Sequence, residues 1–81
     1  MSENRRMRSK PEDKIATPLG RRLYRLRYEA NIPQRTVAEY LNTSRAAYSY
    51  YELGTIEPNL NILKKLSKFY DIPLLELIQD T

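Results

Sequence analysis

Eighty-one residues hold one small domain with a thin core, stable only through tight helix packing or a second copy of the chain. Neither cysteine nor histidine is present, which excludes a disulfide framework, a thiolate metal site and the commonest general base. The net charge of +4 is lopsided: residues 1–45 carry eleven Lys/Arg against five Asp/Glu, and residues 46–81 three against five.

A basic half facing away from a mildly acidic one suits a polyanion bound on one side. Ordinary solubilising charge is the alternative. No run approaches the ~20 apolar residues of a membrane span, and the start lacks the apolar stretch of a signal peptide. A soluble cytoplasmic protein with no membrane partner is expected.

Residues 1–16, MSENRRMRSKPEDKIA, are polar, without a helical apolar stripe, and read as a flexible basic arm ahead of a domain over 17–81. Arg5, Arg6 and Arg8 are its candidate contacts with a nucleic acid, since such an arm can reach around a duplex. The competing reading is a solvated tail, its charge diluted by Glu3, Glu12 and Asp13. Thr17-Pro18, a cap with proline at the first helical position, opens a helix to about Ala30. Leu19, Leu23, Leu26 and Ala30 form its apolar stripe. Arg21, Arg22, Arg25 and Tyr28 fall in solvent, and Arg27 borders the stripe.

Asn31-Ile32-Pro33 turns into a second helix from Gln34, with Pro33 able to serve as its first residue. Val37, Ala38 and Leu41 are its inner face. Asn42 tolerates the left-handed conformation that ends a helix, and Ser44 is a favoured N-cap, so a three-residue turn leads into a third helix, Arg45 to Leu53, stopped by Gly54. Ala47, Tyr48 and Tyr51 point inward; Arg45, Ala46, Ser49 and Tyr50 point outward. Two short helices on such a turn, the second showing a cation, small residues and a hydroxyl aromatic, suit a major groove. A fourth helix starts near Asn59 and runs to Tyr70, with Leu60, Leu63, Leu66 and Tyr70 as core stripe and Ile62 and Phe69 as a second. A last one, about 74 to 78, turns Leu74, Leu77 and Ile78 inward.

The pattern Leu19-Gly20, Leu26-Arg27, Gln34, Val37-Ala38-Glu39, Leu41, Ser44-Arg45, Glu52, Gly54, Pro58 and Leu63 resembles the Cro/repressor type of helix-turn-helix (the XRE family). The resemblance covers Leu19 to about Ile78, some three quarters of the chain. It implies an all-α bundle of five short helices and sequence-specific binding of double-stranded DNA, by a homodimeric transcriptional regulator of phage-repressor type. Bases would be met by Arg45, Ala46, Ser49 and Tyr50, and phosphates by Gln34, Arg35, Thr43 and Ser44 at the N-termini of the second and third helices. Arg27 would pair with Glu52, a structural contact between the first and third helices. The chain departs from the family at Pro33, where a capping serine is usual, at Thr55, Ile56 and Glu57, where a cation often meets phosphate, and at Leu75, often an acid.

Ile62, Phe69 and Leu75 give the C-terminal end more apolar surface than a thin core needs, which points to a dimer interface there. Tyr48, Tyr51 and Tyr70 are expected in the core with hydroxyls at its rim, and Tyr24, Tyr28 and Tyr40 on the surface. Carboxylates show no metal-ligand pattern and no glycine-rich phosphate loop exists, so neither enzyme nor cofactor nor metal is expected. With the chain ending at Thr81, no fused sensing domain is expected. The rival reading is a protein-interaction module on the same fold, an antitoxin or a coactivator bridge, meeting a protein antagonist or partner instead of DNA.

Overall fold

In the computed structural model, which describes residues 14–79, three of the five helices open on a side chain that accepts from one of their free amides. The Thr17 hydroxyl accepts from the Gly20 amide at 3.0 Å and opens α1 (Pro18–Glu29). Pro33 stands outside α2 (Gln34–Tyr40) as a cap without a side-chain bond, so Gln34 and not Pro33 is the first helical residue. Ser44 caps α3 (Arg45–Leu53), and Asn59 caps α4 (Leu60–Tyr70) by accepting from the Ile62 amide at 2.9 Å. The short α5 (Leu74–Ile78) follows Pro73. Asn31, Asn42 and Asp71 take positive φ in the three turns after α1, α2 and α4, a conformation that Asn and Asp adopt more readily than other side chains. Among the described residues the regular elements are these five α-helices, and they form the expected all-α bundle.

The core joins all five helices through Leu23, Val37, Ala38, Leu41, Tyr48, Leu66 and Leu77. Each fully buried large apolar side chain contributes about 1.5–3 kcal/mol. α3 packs on α2 and α1, while α5 packs on α4 and α1. Several expected positions are corrected by this packing. Ala30 caps α1 from an exposed site, Leu60 is 56% exposed and Ile78 40%. Leu60 and Ile78 are terminal residues of their helices, beyond the turns that face the core. Ile62 and Phe69 are half-buried against the chain's own core, the Phe69 ring lying 4.8 Å from Tyr40 and 4.9 Å from Tyr70. Of the three residues expected at a dimer interface, only Leu75 is largely exposed, at 74%.

Arg21 and Arg22 also differ from expectation, being half-buried. Arg21 donates to the Ile15 carbonyl at 3.0 Å. Arg22 donates to the carbonyls of Leu77 (2.9 Å) and Gln79 (2.6 Å), latching the end of α5 onto α1. A cation at carbonyls that a helix leaves unpaired is favourable. Tyr24 is half-buried: its ring stacks on Tyr28 at 5.8 Å and lies under the Arg27 guanidinium at 5.5 Å.

Ahead of α1, Ile15 is buried and the Ala16 amide donates to the Leu53 carbonyl at 3.0 Å, so these two residues pack against the helices. Arg5, Arg6 and Arg8 lie outside the described residues. Gly20 lets the Ile15 segment and α1 approach α3: a Cβ there would stand 2.3 Å from the Glu52 carbonyl oxygen and 2.7 Å from Ile15 Cγ2. Because the closest obstacle is backbone, Gly20→Ala is expected to cost about 1–3 kcal/mol or more as an overpacking change. A thermal melt with an unchanged midpoint would show that α1 and α3 can part freely.

Candidate nucleic-acid interface

The presentation of α3 starts in the turn before it. α2 ends at Leu41, Asn42 reverses the chain at φ 61°, and the Thr43 amide donates to the Ala38 carbonyl at 2.9 Å. The Ser44 hydroxyl then accepts from the Ala47 amide at 3.0 Å. These local bonds fix the angle at which α3 leaves α2, and Tyr48, fully buried, anchors its inner side. Gly54, at φ 82°, closes the helix, and the Tyr50 carbonyl receives the amides of Gly54 (3.0 Å) and Thr55 (3.1 Å). The outer face is thereby turned to solvent on a rigid frame.

On that face Arg45 and Ala46 are exposed and Tyr50 is 43% exposed. Ser49 is half-buried, and its hydroxyl donates to the Ala46 carbonyl at 2.7 Å, so its remaining capacity toward a partner is as an acceptor. Arg35 is exposed on α2, Thr43 is half-buried and Ser44 is exposed, flanking the start of α3. The loop after Gly54 exposes Thr55, Ile56 and Glu57 and offers no cation.

Behind this face is a polar cluster. Arg27 donates from Nε to Glu52 Oε2 at 2.6 Å and from Nη2 to Glu52 Oε1 at 3.1 Å, a bidentate pair with Glu52 side-chain exposure of 4%. Arg27 Nη1 also donates to the Ile32 carbonyl at 3.0 Å, tying the turn before α2 into the same site. The hydrogen bond to Glu52 raises the Arg27 pKa against the opposing effect of burial, so the guanidinium stays charged. Gln34 is half-buried: its Nε2 donates to Glu52 Oε1 at 3.0 Å, and its Oε1 accepts from Arg45 Nη1 at 3.1 Å. The spacing of these residues along the chain carries no signal for the bonds that Gln34 makes to Glu52 and Arg45.

The Tyr48 and Tyr70 hydroxyls are buried beside this cluster and make no hydrogen bond to the described residues, instead of reaching the rim as expected. Burial raises the Tyr48 pKa far above its ordinary value, and the nearby Glu52 carboxylate adds to the rise. Burial likewise pushes Tyr70 up to about 12 from 10.0. A folded-state pKa above the unfolded one gives stability that is intact below pH 10 and lost as the pH climbs toward 12. The urea midpoint is expected to fall from pH 9 to pH 11, and Tyr70→Phe should lessen that fall by the share of Tyr70, leaving the share of Tyr48. An equal fall in the variant would place the alkaline sensitivity elsewhere.

Among the described residues no group of His, Cys, Asp and Glu could hold a metal ion, and no helix is long and apolar enough to cross a membrane. Residues 22–77 match the model of a family described as helix-turn-helix. The chain is 39% identical over 56 residues to the cryptic phage CTXphi transcriptional repressor RstR of Vibrio cholerae, covering 69% of this chain and 50% of that protein. It is 40% identical over 57 residues to the HTH-type transcriptional activator BcrR of Enterococcus faecalis, covering 70% of this chain and 28% of that one. The SPbeta prophage-derived HTH-type transcriptional regulator YonR of Bacillus subtilis is 34% identical over 62 residues, 76% of this chain and 57% of its own length. The chain thus spans about half or less of two of these relatives and 57% of the third. No solved structure matches the chain. The turn between α2 and α3, the exposed outer face of α3 and the match over residues 22–77 agree: the chain belongs to the helix-turn-helix family, of the Cro/repressor (XRE) type.

Proposed function

We propose that this chain binds duplex DNA sequence-specifically and regulates transcription as a repressor, without enzymatic activity and in the cytoplasm. The observation that carries the reading is the outer face of α3: Arg45, Ala46 and Tyr50 stand exposed on a helix whose opposite side is anchored by the buried Tyr48. Such a face enters a major groove, where Arg45 and Tyr50 meet base edges, Ala46 allows close approach and Ser49 accepts from a base. Gln34 turns its remaining Nε2 proton to a phosphate, joined by Arg35, Thr43 and Ser44 around the start of α3. Repression follows the CTXphi relative, a transcriptional repressor; BcrR, a transcriptional activator, has the opposite sign of control on the same kind of domain.

The regulator acts as a homodimer through the C-terminal end. The support is narrower than the sequence implied, since Ile62 and Phe69 pack on their own core and leave Leu75, Leu60 and Ile78 exposed. The arm residues Arg5, Arg6 and Arg8 add phosphate or minor-groove contacts.

Titration of a labelled duplex at several salt concentrations tests the reading, with a steep fall of affinity expected. Each phosphate contact contributes about 0.9 to the slope of log K against log salt. Deleting residues 1–10 is expected to weaken binding and flatten the slope; an unchanged slope makes the arm a bystander. Absence of salt-dependent duplex binding by the full chain would favour the protein-interaction module instead.

A further inference from the structure

The bonds between Arg27 and Glu52, Glu52 and Gln34, and Gln34 and Arg45 form one continuous chain from the α1–α3 contact to the exposed tip of α3. We propose that Glu52, buried and out of reach of DNA, is a positioning residue for base reading, which it governs through Gln34. This rests on the reading of Arg45 as a base contact.

The chemistry of the three groups makes the direction of the chain unambiguous. Amide oxygen and nitrogen of a glutamine are interchangeable in shape, and only partners distinguish them. A carboxylate can only accept, so Gln34 must turn Nε2 to Glu52. A guanidinium can only donate, so the Oε1 left over must face Arg45. Glu52 is itself held by two bonds from Arg27, so the amide is set against a fixed acceptor. The Arg45 side chain is exposed and long, and would otherwise sample many rotamers before meeting a base. Gln34 engages Nη1 alone and leaves the edge formed by Nε and Nη2 for the two acceptors of a guanine. Orientation before binding removes part of the ordering cost and favours the base whose acceptors match that pose.

The measurement is a discrimination ratio: affinity for a preferred duplex divided by affinity for one altered at the base pair that Arg45 reads. A wild-type chain with no such pair on any duplex would overturn the underlying DNA reading, and the positioning role with it. Given a wild-type ratio, Gln34→Ala is expected to weaken both duplexes through the lost phosphate contact and also to lower the ratio about three- to tenfold. In an Arg45→Ala background the same change should leave the ratio where it is. A Gln34→Ala chain that loses affinity equally on both duplexes overturns the proposal, because Gln34 then only holds phosphate. Glu52→Gln, measured at a temperature where circular dichroism shows it folded, must lower the ratio like Gln34→Ala, and an unchanged ratio overturns the role of Glu52. Should that variant fold at no temperature, the Gln34 side-chain amide in the wild type decides: one proton held on Glu52 exchanges slowly with water, and rapid exchange of both overturns the link.

Discussion

Glu52→Gln is expected to lower the stability of the folded chain by about 3–5 kcal/mol, the usual consequence of removing one partner of a buried ion pair. The carboxylate is 4% exposed and receives three side-chain bonds, two from Arg27 and one from Gln34. An amide offers one acceptor oxygen where the carboxylate offered two, so Arg27 or Gln34 must lose a partner. The Arg27 side chain, 15% exposed, would then keep its charge with little water to replace the anion. Against a total of about 5–15 kcal/mol for a small domain, such a loss moves a urea midpoint far enough to be unmistakable. An unchanged midpoint would mean that the pair is offset by solvent and that α1 and α3 are joined by apolar packing alone.

Arg45→Ala carries the largest expected effect on recognition. It is expected to weaken binding to the preferred site by about 1–3 kcal/mol and to relax selectivity at one G·C pair. Arg45 is the first residue of α3, directly after the Ser44 cap, and its side chain is exposed. It is therefore expected to project from the helix end that meets the bases, while removing it leaves Tyr48 and the rest of the core untouched. Stability should change little, which separates this variant from Glu52→Gln. Equal loss of affinity for every base at every position would make the arginine a phosphate clamp and move base reading to Tyr50 and its neighbours.

The helix ends were legible in the sequence because capping is local. Thr17-Pro18, Asn42, Ser44, Gly54 and Asn59 each act on amides or carbonyls within a turn, and each stands where its chemistry implies. Rotation of short helices was less legible. A 3.6-residue period places Leu60 and Ile78 on apolar stripes, yet both are helix-terminal and face solvent. By period alone Ile62 and Phe69 are surplus apolar surface, since period does not show that Tyr40 comes round to meet Phe69.

The polar contacts at long range were illegible for a different reason. Arg22 meets carbonyls 55 and 57 residues away, and Gln34 meets Glu52 across 18. Any exposed polar residue fits those positions in sequence, and only the packed helices select the partner. Ile15 follows a polar stretch in sequence, and only the room that Gly20 leaves beside α3 gives it a buried place.

Selection of bound duplexes from a random pool with the full chain tests sequence-specific recognition most directly. Enrichment of one short motif, repeated symmetrically at about one helical turn, roughly 34 Å, is the result that α3 in the major groove of a dimer requires. A pool that stays random after repeated rounds, while the chain remains folded, would contradict it.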